Sequence, residues 1–134
     1  MAGQVEDVSE TVRILQDAGI RVSLFIDPDK PQVEASAETG AKMIELHTGA
    51  FANAEGTARK DELERLIAGA KQGHEIGLQI NAGHGITTEN LEELFQVPHM
   101  QELNIGHHLV SQAVFLGLSQ SVKQMRELMN AYPE

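Results

Sequence analysis

The sequence predicts an α/β fold made of a leading helix and four parallel βα units. Two observations carry this. Short β-rich segments alternate with longer segments of helical periodicity, the rhythm of parallel βαβ units. Each β-rich segment also runs into a polar or Gly-containing turn: Asp27-Pro28, His47-Thr48-Gly49, Gly83-His84-Gly85 and Gly106-His107-His108.

Val5, Val8, Val12 and Leu15 recur at helical spacing, and Gly19 stands where a C-cap is expected. The first strand is predicted over Arg21–Asp27. It ends at Asp27-Pro28-Asp29, a turn and N-cap signal for a helix running to Thr39, with Gly40 after it. Lys42–His47 reads as the second strand, 48–57 as a Gly/Ala/Asn loop, and Arg59–Gln72 as a helix with apolar Leu63, Leu66, Ile67 and Ala70. Gly77–Asn81 is the third strand and Thr88–Phe95 its helix. Glu102–Ile105 is the fourth strand, followed by one long helix over Leu109–Met129 with Val114, Leu118, Met125 and Met129 on a single stripe.

One parity of the strands is apolar throughout: Val22, Leu24 and Ile26; Ile44 and Leu46; Leu78 and Ile80; Leu103 and Ile105. The other carries Ser23 and Asp27, Glu45 and His47, Gln79 and Asn81, Glu102 and Asn104. Strands covered by helices on both faces would be apolar almost throughout, so the second face meets something polar. In a (β/α)8 barrel that face is the lumen, and a polar lumen marks a site reaching into it. In an open sheet with helices on one side, the same face meets water. Periodicity alone leaves both readings open.

The 134 residues, 41% of them hydrophobic, suffice for one modest core, so 1–134 is read as a single domain. Without cysteine there is neither a disulfide nor a thiolate metal site. Asp and Glu number 20 against 10 Lys and Arg, a net charge of −10 that repels polyanions and argues against nucleic-acid binding. No apolar run approaches the roughly 20 residues that span a bilayer, and the polar, acidic Met1–Glu10 is unlike a signal peptide. The expectation is a soluble, cytoplasmic protein with no membrane partner.

Chemistry is expected at the C-terminal ends of the strands, where barrel enzymes carry their catalytic groups. The glycines there let backbone N–H groups approach an anion, and the helix after Gly106 adds its positive end. That local attraction offsets the acidic overall field. His84, between two glycines, presents an accessible imidazole, a group suited to proton transfer near neutral pH, or is a surface loop histidine. Glu45 on the polar parity is either a site carboxylate or the structural partner of His47. Asp27 either caps the next helix or faces the site. Convergence of His47, His84, His107 and Glu45 admits a metal site, although no tight His-x-His or His-x3-His pair supports one. His74 and His99 read as solvated residues of connecting segments, and His108 as a helix-start residue facing away from His107. Glu62/Glu64 and Glu89/Glu92/Glu93 read as solvated helix faces.

The strings DAGIRVSLFIDPD, IELHTGAFA, LQINAGHG and ELNIGHHLVSQAVFLGL together resemble the fifth to eighth strands of the pyridoxine 5′-phosphate synthase family, TIM (β/α)8 barrels of vitamin B6 biosynthesis. The similarity runs from Gly3 to Met129 in matching order and spacing. It implies a half-barrel, the C-terminal half of a TIM barrel, and a transferase reaction. That reaction condenses 1-deoxy-D-xylulose 5-phosphate with 3-amino-2-oxopropyl phosphate, without metal or organic cofactor. His84 of NAGHG matches the family's proton donor, and Glu45 of IELHTG the carboxylate that stabilises the transition state. Gly85 matches a substrate-binding position, while Gly106 and His107 match the pair whose backbone holds a substrate phosphate.

The family's N-terminal half, with an Asn-x-Asp-His strand, a His- and Arg-rich loop and a further Glu, has no counterpart in these residues. Since a whole barrel takes about 250 residues, the chain reads as a fragment inactive by itself. Its expected partners are small phosphorylated substrates and, because a half-barrel has open edges, copies of itself in a homo-oligomer. Two alternatives stand beside the synthase. One is a non-catalytic phosphate-binding half-barrel or assembly module; the weaker is a metal-dependent hydrolase.

Overall fold

The computed structural model describes residues 3–133. The chain opens with helix α1, Val5–Asp17, which buries Val12 and closes at Gly19, whose φ of 77° suits a residue without a Cβ. Strand β1, Ser23–Ile26, leads into α2, Lys30–Glu38, with Pro31 in its first turn and Asp29 as N-cap. The Asp29 side chain makes no capping bond; it accepts from Arg65 at 2.7 Å. That hydrogen bond, ahead of the charges of Asp29 and Glu62, raises the Arg65 pKa further.

Strand β2 is Met43–His47. A short helix, α3 over Gly49–Asn53, occupies the segment expected to be a loop and buries Phe51. Helix α4, Gly56–Glu75, is longer at both ends than its apolar stripe indicated. Strand β3 is Gln79–Gly83, two residues beyond the expected start. The cause is the closing turn of α4, in which Gly77 N–H donates to His74 O and Leu78 N–H to Gly73 O. Helix α5 shrinks to Leu91–Leu94 because Thr87 N–H donates to Asn90 Oδ1, holding 87–90 in a turn.

Strand β4, Met100–Asn104, by contrast starts two residues earlier than predicted, and its pairing with β3 carries a register shift between Ile80 and Asn81. The long terminal helix is two helices, α6 over His107–Leu116 and α7 over Leu118–Met129. Gly117 separates them with φ 79° and ψ 148°, a conformation outside any helix, and Ser121 Oγ donates to Leu109 O to tie the pair.

The strands form one parallel sheet in the order β1-β2-β3-β4. The apolar parity packs on the helices as expected: Ile26, Ile44, Leu46, Leu78 and Ile80 are buried with Val33, Leu66, Leu91 and Val97, and Leu24, Leu103 and Ile105 are partly buried against them. Each such side chain taken fully from water contributes about 1.5–3 kcal/mol. Gly73 of α4 marks a close approach of helix to sheet, since a Cβ there would lie 2.7 Å from Ile80 Cδ1 and 3.0 Å from Ile44 Cδ1. The opposite face carries Glu45, His47, Gln79, Asn81, Glu102 and Asn104, joined by Met43 and by Phe25, which is 54% exposed. The result is half of a (β/α)8 barrel, with its lumen face open and one unpaired backbone edge on each of β1 and β4. His74 and His99 are exposed as expected, but His74 lies within α4, and the two rings stack at 3.7 Å.

Candidate active site

The C-terminal ends of β2, β3 and β4 hold the polar residues together. On β2, Glu45 lies in register with Asn81 of β3, which lies opposite Glu102 of β4. One step higher, His47, Gly83 and Asn104 form the next row. Glu45 leans across β3, and its Oε2 accepts a hydrogen bond from Asn104 Nδ2 at 2.7 Å. Gly83 makes room for this, since a Cβ there would collide with Glu45 Oε1 and lie 2.9 Å from Asn104 O. Glu45 is therefore not the structural partner of His47. That partner is Asp27, whose Oδ1 lies 3.1 Å from His47 Nδ1, and the N-cap of α2 is Asp29 rather than Asp27.

His47 packs edge-on against Phe25 on one side and His84 on the other, at 5.1 and 5.0 Å between ring centroids. Gly49 permits that approach, as its Cβ would lie 2.5 Å from His47 Nε2 and 2.9 Å from His84 Cδ2. His84 itself adopts φ 80°, a conformation costing a non-glycine residue on the order of 1 kcal/mol or more. Strain held at the rim of a cleft is a functional signal invisible in the sequence.

The cleft has a volume of about 600 Å³ and is lined by Phe25, Glu45, His84, Gly85, Ile86, Thr87, Asn104, Ile105, Gly106, His107, His108 and Ser111. Of the residues singled out from the sequence, Glu45, His84, Gly85, Gly106 and His107 line this one cleft, and Asp27 and His47 do not. Among the described residues no Lys or Arg does, so an anion here meets imidazoles, backbone donors and the side chains of Thr87, Asn104 and Ser111, beside the Glu45 carboxylate. Gly106 is the N-cap of α6 and offers no side-chain cap, which leaves the first-turn N–H groups for a ligand or water. Thr88 N–H donates to His108 Nε2 at 3.3 Å, so His108 ties the loop after β3 to the start of α6. At the same loop the Glu89 pKa is lowered, chiefly by a hydrogen bond from Thr87. Among the described residues no group of three or more His, Asp or Glu side chains is disposed to hold a metal ion. Nor is any helix among them long and apolar enough to cross a membrane.

A family model described as "Pyridoxal phosphate biosynthesis protein PdxJ" matches residues 1–131. The chain belongs to this family. Among curated relatives, the pyridoxine 5′-phosphate synthase of Akkermansia muciniphila is 53% identical over 93% of this chain and 51% of its own length. Those of Neisseria meningitidis serogroup A and Idiomarina loihiensis are 49% and 45% identical over 94% and 97% of the chain, and 52% and 54% of their own lengths. The chain thus spans about half the length of the curated relatives it matches.

His108, expected to face away from His107 at a helix start, stands in the first turn of α6 and lines the same cleft as His107. Sequence reasoning gave no site role to Phe25 or Asn104, nor to Thr48 and Asn90, which lie behind the wall. Asn104 had a signal, standing on the polar parity two residues before Gly106. Thr48 had a weaker one, a polar β-branched residue where β2 turns. Phe25 interrupts the polar parity, and local pattern gives no reason for it.

Proposed function

We propose that the chain is the proton-donating and phosphate-holding half of a pyridoxine 5′-phosphate synthase. It would act in the condensation of 1-deoxy-D-xylulose 5-phosphate with 3-amino-2-oxopropyl phosphate. The observation that carries the reading is that Glu45, His84, Gly85, Gly106 and His107 line one cleft in a PdxJ-family chain. In this reading His84 delivers protons to departing oxygen during imine formation and elimination. Glu45, oriented by Asn104, faces positive charge developing on the imine nitrogen. The first-turn donors of α6 at Gly106 and His107 hold a substrate phosphate. The general bases belong to the N-terminal half of the family, so the chain alone has no turnover. The test is an assay of the chain alone and then with the N-terminal half of a relative supplied. Turnover by the chain alone overturns this division of labour; a reconstituted, associated pair without turnover overturns the synthase reading.

A non-catalytic phosphate-binding role is the second reading, favoured by the uncapped start of α6, which needs no other half to exist. Phosphate-induced amide shifts at 83–85 and 105–109, with no turnover from the reconstituted pair, support it. Assembly belongs to either reading. Helix α6 has no buried residue and exposes Val110, Val114 and Phe115, and it follows β4, whose outer edge is unpaired. A second copy would cover that face by setting its β1 edge, which follows exposed Ile14 and Ile20 in the chain, against β4.

A further inference from the structure

The loop that ends β3 has three successive carbonyls, all held by the buried residues Thr48 and Asn90. Thr48, fully buried at the end of β2, donates its backbone N–H to Gly83 O at 2.9 Å; its hydroxyl lies 2.7 Å from Gly83 O and 2.5 Å from His84 O, and its single proton is free for His84 O. Asn90, 6% exposed, donates from Nδ2 to Gly85 O at 2.9 Å and closes its other end on Thr87 N–H. All peptides here are trans, so each N–H points opposite to the carbonyl of the same unit. His84 and Gly85 carbonyls turned inward therefore turn the N–H groups of Gly85 and Ile86 outward, whereas the Gly83 carbonyl faces β2 and turns the His84 N–H towards Asn104 of β4. Among the described residues neither the Gly85 nor the Ile86 N–H has a protein acceptor outside helices and strands. His84, Gly85 and Ile86 line the cleft, whereas Thr48 and Asn90 do not.

We infer that Thr48 and Asn90 are positioning residues of the site. They hold the loop in the left-handed conformations of His84, φ 80°, and Gly85, φ 76°, and so present the His84 imidazole and the backbone donors of Gly85 and Ile86 to a substrate oxygen. Thr48 does this from the end of the neighbouring strand β2, 36 residues away in sequence from the carbonyl it holds. The strain at His84 persists because the Thr48 hydroxyl and the close packing at Gly85, where an added Cβ would lie 2.6 Å from Ala52 Cβ, over-determine the loop. The inference rests on the reading of this cleft as the substrate site, but its first readout does not.

The test uses the chain itself with inorganic phosphate as probe. In the parent chain, NMR should show the strong intraresidue HN–Hα contact of a positive φ at His84. Thr48→Val keeps the shape and removes the hydroxyl; it should lose that contact and weaken phosphate-induced shifts at 84–86 about fivefold or more. Thr48→Ser keeps the hydroxyl and should retain both. Asn90→Ala should lose the response at Ile86 while leaving His84 in place. A Thr48→Val chain that is folded and keeps both signals overturns the inference. If the Val variant does not fold, Asn90→Ala decides: an unchanged Ile86 response overturns it, a lost one supports it. Loss of the His84 contact in Thr48→Val, in a chain whose parent shows no phosphate shifts at 84–86, supports the positioning role and counts against the phosphate reading alone.

Discussion

Replacing Gly83 with alanine tests how the site carboxylate is held. The backbone at Gly83 is ordinary strand, so the cost is one of space. The added Cβ would collide with Glu45 Oε1 and lie 2.9 Å from Asn104 O and 3.1 Å from Asn104 Cβ. Overpacking of this kind costs about 1–3 kcal/mol. Expelling the Glu45 carboxylate also breaks its bond to Asn104, worth about 0.5–1 kcal/mol with Asn104 exposed and Glu45 half-buried. Against these stands a gain of about 0.4–1 kcal/mol from the less flexible unfolded chain. The net is a loss of roughly 1–3 kcal/mol, a fall in Tm on the order of 3–10 °C. Thermal and urea unfolding of Gly83→Ala, Glu45→Ala and the double variant give the cycle. Because most of the clash is with Glu45, the second substitution should cost about 1 kcal/mol less in the Glu45→Ala background than alone. Additive effects, or an Asn104 side-chain amide unmoved by Gly83→Ala, would refute the idea that Gly83 is reserved for the carboxylate.

In the complete enzyme, His84→Ala should lower kcat far more than it weakens substrate binding, as expected of a group acting in the transition state; an unchanged kcat removes it from the mechanism. Sedimentation equilibrium should find a dimer or larger assembly at micromolar concentration, shifted towards monomer by Phe115→Ser on the exposed face of α6, and a parent chain that stays monomeric counts against edge pairing. Acid stability offers a small effect of known sign. The folded-state pKa of Glu89 is depressed, so its contribution is present above the unfolded pKa and is lost as pH falls through the folded value. Because Glu89 is exposed, that contribution is within about 0.5 kcal/mol, and Glu89→Gln should show a slightly smaller fall in Tm than the parent between about pH 6 and pH 3. A larger fall in the variant would reverse the sign.

Much of the fold was legible because it is written in short-range pattern. The alternation of Ile44 and Leu46 with Glu45 and His47 is a property of one strand, and it assigned the helix-facing side correctly. Turn residues at the ends of β2, β3 and β4 located the cleft, and Glu45, His84, Gly85, Gly106 and His107 all line it. Where the reading slipped, a local signal was ambiguous. Gly117 sits in a stretch whose apolar stripe continues past it, and only its φ of 79° shows that the helix breaks there. Gly77 reads equally as the start of a strand or the close of α4, and the hydrogen bond from Leu78 N–H to Gly73 O decides for the latter.

The sequence by itself determined the four βα units, the polar and apolar faces and the end of the sheet at which the site stands. It could do so because strand parity and helix period are set within a few residues of chain. Only the tertiary structure decided the pairings. Asp27 meets His47 across 20 residues and Glu45 meets Asn104 across 59, while Thr48 takes the carbonyl of His84 across 36. Each of these depends on the register between neighbouring parallel strands and on which glycine leaves room for a side chain to lean. Periodicity along one strand carries no information about either, because both are properties of the space between strands.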